Sequence, residues 1–182
     1  KNLTKIEIPT NSKLQTIEEN AFSKSKIKEI YFPASLKELK KGWCCDTKQL
    51  TNIIISPSNK QFIFKDNKYL LGKSDENNDE FDILLFASRN INEISIPSNI
   101  KIISSYSFDN CENLTKVKIP TNSKLETIES YAFSSSNINE ISIPSNVSKI
   151  CEYAFYYCKN LTKIEIPTNS KLETIESYAF SS

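Results

Sequence analysis

Residues 161–180 read LTKIEIPTNSKLETIESYAF, and residues 3–22 read LTKIEIPTNSKLQTIEENAF. A third copy, LTKVKIPTNSKLETIESYAF, covers residues 114–133, and two shorter relatives, INEISIPSNIKIISSYSF and INEISIPSNVSKICEYAF, start at Ile91 and Ile138. Each unit runs L/I-x-x-I-x-I-P, then a polar corner, then L/V-x-x-I-x-x-x-A-F. The I-x-I step before the proline, as at Ile164 and Ile166, has the period of a strand that buries one face. Proline withholds an N–H and ends that strand. Asn and Ser then turn the chain, and the later Ile and Phe (Ile175 and Phe180 in the last copy) bring apolar groups back inside. One such unit buries too few side chains to offset the entropy of ordering its own length, so it folds only when stacked on a neighbour.

The prolines set the period. All seven take part, at positions 9, 33, 57, 97, 120, 144 and 167, and their separations are 24, 24, 40, 23, 24 and 23 residues. Odd units read P-T-N-S-K-L-E-T-I and even units P-S-N-V-S-K-I or close to it, so the period is also a pair of units. A repeat solenoid, mainly β, of about seven turns follows, one domain over residues 1–182.

These motifs, with the A/S-F-x-x-C that closes the two shorter units, resemble the BspA-type leucine-rich repeat. The resemblance implies a right-handed horseshoe with a parallel concave sheet and short convex strands or 3₁₀ turns. It also implies cell-surface or extracellular placement, adhesion or host-protein binding, and a protein or extracellular-matrix ligand. The glycine that often follows the convex Ile in the family is Glu18, Glu129 or Glu176 here, or Ser104 and Cys151, so the local turn geometry departs from the family's. Neither end looks capped and residue 1 is not Met, so a longer native array is expected.

The exceptional 40-residue spacing encloses an insert over about residues 59–90. Its three apolar runs, around Phe62–Phe64, Tyr69–Leu71 and Ile83–Phe86, predict a β-hairpin or small meander growing from one turn. It is read first as a decoration of the solenoid and second as a protruding element that shapes a binding surface.

Composition removes most chemistry. The chain has 182 residues and 23 basic against 22 acidic side chains, a net charge of +1 that gives no electrostatic case for nucleic acid. No stretch approaches ~18 apolar residues, so no membrane insertion is expected of this segment. The absence of histidine excludes His-based catalysis and His-ligated metals. Two glycines, Gly42 and Gly72, leave no phosphate-binding loop, and corners must be turned by Asn, Ser and Pro instead. No enzyme, cofactor or metal is expected. The five cysteines, Cys44, Cys45, Cys111, Cys151 and Cys158, are an odd number read as free thiols acting as small hydrophobes. Cys111 and Cys158 repeat one position two units apart, ~10 Å and beyond disulfide reach. Asp75, Glu76, Asp79, Glu80 and Asp82 lack the spacing of a calcium loop and read as a solvated hairpin tip. The sequons at Asn2, Asn113, Asn146 and Asn160 discriminate little in so Asn/Ser/Thr-rich a chain.

The exposed concave positions carry the binding hypothesis. Lys5, Glu29, Asn52, Glu93, Lys116, Glu140 and Lys163 occupy the third strand position, an alternation read first as a structural charge ladder. The fifth position runs Glu7, Tyr31, Ile54, Ser95, Lys118, Ser142 and Glu165, and there Tyr31 and Ile54 are large apolar groups on a face that should be polar. Either the insert folds over them or they meet a partner. Tyr31 and Ile54, with Glu29, Asn52 and Glu93 around them, are the partner-binding candidates. Tyr106, Tyr131, Tyr153 and Tyr178 stand two residues before successive Phe positions and predict a stacked ladder. Trp43 falls near the A-F position with a one-residue ambiguity. The function expected is a non-enzymatic protein-interaction module, with an intracellular scaffold as the alternative.

Overall fold

A computed structural model describes residues 3–182, and the sequon at Asn2 lies outside them. The chain winds as stacked rungs, and among the described residues there is no helix. The strands before the prolines are β2 (Glu29–Phe32), β4 (Asn52–Ile55), β8 (Glu93–Ser95), β10 (Lys116–Lys118), β12 (Glu140–Ser142) and β14 (Lys163–Glu165). Those after the corners are β1 (Thr16–Ile17), β3 (Glu38–Leu39), β9 (Ile102–Ile103), β11 (Thr127–Ile128), β13 (Lys149–Ile150) and β15 (Thr174–Ile175). The insert adds β5 (Phe62–Lys65), β6 (Tyr69–Gly72) and β7 (Ile83–Ala87). The concave-side sheet is parallel throughout but comes in two pieces, β2–β4 and β8–β10–β12–β14. The opposite layer is built of short strands and a third layer of turns, one of the two alternatives the motif implied.

The insert is not a decoration. Phe62 follows Pro57 by five residues, the same offset that separates Pro33 from Glu38 and Pro97 from Ile102, so β5 starts where the third rung's second strand belongs. The chain then turns back through the three-residue loop 66–68, where Asp66 and Asn67 are both left-handed with φ of 55° and 53° and Lys68 N–H donates to Lys65 C=O at 2.9 Å. Antiparallel β6 and β7 follow, and β7 pairs parallel with β9, completing the rung that β5 began. This meander extends the second layer into one sheet ordered β15-β13-β11-β9-β7-β6-β5.

Both of its faces are buried, so it divides the core. Phe62, Leu70 and Phe86 belong to one cluster with Ile30, Phe32 and Trp43. Tyr69, Leu71, Leu84 and Ala87 belong to the other, with Ile94, Phe108, Phe133 and Phe155. A bulge at Leu85, skipped in the register between Leu70↔Phe86 and Leu71↔Leu84, sends consecutive residues to opposite sides. Gly72 leaves room for the bulged leucine's side chain, since a Cβ there would lie 2.5 Å from Leu85 Cδ1 and the leucine would have to shift.

The turn layer shows how a glycine-poor chain turns its corners. Asn20, Gly42, Tyr106, Tyr131, Tyr153 and Tyr178 occupy one equivalent position, all left-handed with φ between 56° and 64°. Asn and Gly accept that conformation readily. Tyrosine does not, and the four tyrosines offset the strain by stacking at centroid separations of 4.9, 4.8 and 5.1 Å. Phe108, Phe133, Phe155 and Phe180 form a parallel stack beneath them. The expected ladder is therefore present, and the corners after the prolines are turned by Asn and Ser as the sequence suggests, while at the left-handed positions tyrosine takes the largest share. Glutamates at the family's glycine position earn their place too, since Glu129 accepts from Ser105 N–H at 2.9 Å and Glu176 from Glu152 N–H at 3.0 Å on the preceding rung. The Trp43 ambiguity also resolves. Phe22 N–H donates to Trp43 C=O as Phe108 N–H does to Ala132 C=O, so Trp43 holds the alanine place and Cys44 the phenylalanine place.

Candidate functional site

The concave face forms because inward residues of each strand (Ile30, Ile53, Ile94, Val117, Ile141) are buried, leaving the third and fifth positions outward. Glu29 lies directly opposite Asn52 and Tyr31 opposite Ile54, as the register predicts. The Asn52 amide donates to Glu29 Oε2 at 2.6 Å. Ile54 remains 45% exposed and Tyr31 is half-buried beside it. The insert lies next to this pair without covering it: Ile63, Phe64, Asn67 and Phe81 form the far side of a groove of about 530 Å³ that starts at β4. Four of the five candidates are thus brought together. Glu93 stands apart on β8, which has no backbone pairing with β4, and its carboxylate lies 3.8 Å from Lys118 Nζ.

The charge alternation is present in register, with Lys116 between Glu93 and Glu140 and Glu140 next to Lys163. The ion pairs do not run straight across it. They run along a strand (Lys5 to Glu7 at 2.5 Å, Lys163 to Glu165 at 2.6 Å) or on the Lys118–Glu93 diagonal. Long lysine side chains reach the next outward carboxylate on their own strand, and such exposed pairs contribute roughly 0–1 kcal/mol each.

The most elaborate polar cluster was not anticipated. The third rung lacks an aromatic turn, so the turn of the second rung meets that of the fourth directly. Asp46 N–H donates to Asp109 Oδ2 at 2.8 Å and Asn110 Nδ2 to Asp46 Oδ1 at 3.0 Å. Arg89, 3% exposed, fills the missing backbone's place. Its guanidinium donates to Thr47 C=O at 3.3 Å, Ser107 C=O at 2.9 Å and Tyr106 C=O at 3.3 Å, and lies 4.6 Å from the Phe86 ring centre. It is the chain's sole arginine, and that singularity was the available signal. A fork of five donors spans three carbonyls where lysine, a point charge, cannot.

Nothing in this cluster suits it to chemistry. Burial pushes the Cys44 thiol up to about 12 despite the nearby Arg89 charge, and burial likewise raises Cys111. Both are therefore protonated, and thiols of this kind are inert. Burial raises Asp109 as well, against the pull of Arg89. All five cysteines are free, as expected; four are buried and Cys45 is half-buried. Asp82 corrects the reading of a solvated acidic tip. It is fully buried, accepts from Ser74 N–H at 2.9 Å and Ser74 Oγ at 2.7 Å, and pairs with Lys101 at 3.2 Å. Burial opposes its ionisation, but these donors together hold its pKa below the ordinary 3.8. Among the described residues no group of three Cys, Asp or Glu side chains is placed to hold a metal ion.

Known proteins match this architecture. A leucine-rich-repeat protein of Eubacterium ventriosum superposes with a TM-score of 0.82 at 25% identity, covering 97% of this chain and 45% of that one. The pneumococcal vaccine antigen PcpA gives 0.69 at 21% identity, over 88% of this chain and 44% of that one. A leucine-rich cell surface protein of Faecalibacterium prausnitzii gives 0.55 at 21% identity, over 90% and 55%. The chain thus spans about half the length of these solved neighbours. No curated protein matches it by sequence. The model of the BspA type leucine-rich-repeat region matches in six copies over residues 1–70 and 81–182, leaving out only part of the insert. By that match, and by the rungs that carry it, the chain belongs to the BspA-type leucine-rich-repeat family.

Proposed function

We propose that this segment is a non-enzymatic interaction module that binds a protein or extracellular-matrix ligand at the cell surface, through the concave patch of Tyr31 and Ile54 with Glu29 and Asn52 at its edge. The observation that carries the reading is Ile54, a large apolar side chain 45% exposed on an otherwise polar face and flanked by the half-buried Tyr31. The scaffold beneath is rigid and its outward residues change from rung to rung without altering the core, which suits recognition. Two of the solved neighbours bear names that speak of a vaccine antigen and a cell surface protein, and this supports the surface placement.

The test is capture of ligand by the full-length protein and by its Tyr31→Ala/Ile54→Ser double variant. Loss of capture supports the patch; undiminished capture removes it. The second reading is an intracellular scaffold that uses the same face. Labelling of intact cells with an impermeant amine reagent separates the two: modification of surface lysines supports the first reading, and protection until lysis supports the second.

A further inference from the structure

The concave sheet is broken between β4 and β8, and the break leaves an edge with a definite hydrogen-bonding pattern. Asn52 N–H donates to Lys28 C=O at 3.2 Å and Ser56 N–H to Phe32 C=O at 2.9 Å, so the even-numbered residues of β4 face β2. Alternation along the strand turns the N–H and C=O of Ile53 and Ile55 the other way. Thr51 C=O, at the start of this outer edge, accepts from Ser88 Oγ at 2.7 Å. Among the described residues no partner bonds the four groups of Ile53 and Ile55. Folded proteins usually blunt such an edge with charge, proline or a covering segment. Here it opens into the groove of about 530 Å³ lined by Ile54, Ile63, Phe64, Asn67 and Phe81, with no charged side chain among the lining residues.

We infer that this edge takes up an extended segment of a partner protein as an added strand beside β4, with a basic residue next to Asn52 and an apolar one next to Ile54. Alternating amide donors and acceptors at strand spacing are met by extended backbone and by little else. The side-chain preferences come from the neighbours. The outward third position of the added strand adjoins Asn52, whose amide is held by Glu29 one strand further on β2, and in the intact part of the sheet the same row places Lys116 directly between Glu93 and Glu140, so a basic residue suits this row. The outward fifth position continues the Tyr31–Ile54 row. The inference rests on the proposal that Tyr31 and Ile54 form the contact patch, and it adds the mode of binding and the chemistry of the bound segment.

The probe is a hexapeptide, acetyl-Thr-Lys-Val-Tyr-Val-Thr-amide, with a control in which Glu replaces Lys. Titration into the isotope-labelled 182-residue chain, followed by amide exchange, reads the edge directly. The expected result is slowed exchange at Ile53 and Ile55 and an affinity about fivefold higher for the Lys peptide at low salt. Ile55→Pro removes an outward-facing N–H at a place where edge strands tolerate proline, and also trims a side chain packed against the N-terminal core; it is expected to abolish the protection at Ile53 at some cost in stability while far-UV circular dichroism stays unchanged. Peptide binding without protection at Ile53 and Ile55, or no binding at all, overturns the inference. Protection present before peptide is added, and lost on dilution, identifies a second copy as occupant and also overturns it. Ligand capture that fails with Tyr31→Ala/Ile54→Ser but survives Ile55→Pro keeps the patch and rejects the added strand, whereas capture that survives both rejects the patch itself.

Discussion

Replacing Arg89 with methionine tests whether the guanidinium joins two halves of the array or merely fills space. Methionine restores most of the volume and is spared the desolvation cost of a buried cation, so a neutral result is physically possible. The contacts argue against neutrality. Ser107 C=O keeps the Ala87 N–H at 2.8 Å and Tyr106 C=O keeps the Asp109 N–H at 3.1 Å, but among the described residues Thr47 C=O has only Arg89. An orphaned buried carbonyl costs about 1–3 kcal/mol, and the lost stack on Phe86 adds about 1–2. Asp109 also loses the cation that offsets its burial. Together these predict a loss of about 3–5 kcal/mol, a large share of an ordinary domain's stability. The assay uses the position of the sole tryptophan. Trp43 lies in the N-terminal cluster only, so its fluorescence in guanidinium follows that cluster while far-UV circular dichroism follows both. Wild-type transitions should coincide; in Arg89→Met the tryptophan transition should move to lower denaturant and separate from the dichroism. Arg89→Lys keeps the charge without the fork and should fall between. A loss below about 1 kcal/mol with coincident transitions would show that packing alone holds the seam and refute the reasoning.

Asp82 has a folded pKa below its ordinary 3.8, so its contribution is complete above that value and disappears as pH falls through the folded pKa. Stability should therefore drop below about pH 4 in the wild type and less steeply in Asp82→Asn, as read by thermal melts across pH; equal slopes would remove Asp82 from the account. Gly42→Ala should cost about 1–3 kcal/mol by denaturant titration, because the position has φ of 64° and the new Cβ would lie 3.0 Å from Asn20 Oδ1 and 3.2 Å from the Tyr106 ring. At Tyr131, φ 59°, both truncations lose two stacking contacts, but Tyr131→Gly should be more stable than Tyr131→Ala by about 1 kcal/mol. The opposite order would mean that the left-handed backbone carries no strain there.

The regular rungs were readable because everything that makes them is local. A proline every two dozen residues, a period of two before it and a returning Phe are enough to place Glu29 against Asn52 and Tyr31 against Ile54. The left-handed tyrosines were readable only as a ladder. Asn20 and Gly42 mark the position in the first two units, but tyrosine has no preference for that backbone, and the stacking that supports it exists only between units. The insert's apolar runs were seen, yet their meaning lay in their continuity. Tyr69, Leu70 and Leu71 are consecutive and all buried, which a strand achieves only with cores on both sides. Arg89 belongs to no repeat, so no periodicity points to it, and its role follows from a turn that one rung omits.

That omission and the broken concave sheet have one origin. A rung of this solenoid has a first strand, a second strand and an aromatic turn, and each bonds to the matching part of the next rung. The third rung spends its length on the β5–β6 hairpin before β7 closes it, and then reaches β8 without an aromatic turn. Its neighbours must therefore be joined by something other than repeated backbone. In the core the two-faced meander does this, with Phe86 on one side and Ala87 on the other. In the turn layer Arg89 and the Asp46–Asp109–Asn110 bonds do it. On the concave side nothing within the described chain does, and there the outer edge of β4 stays open beside the most apolar residues of that face. The seam is thus closed in two layers and open in the third, and the open layer is the one that carries the candidate contact patch.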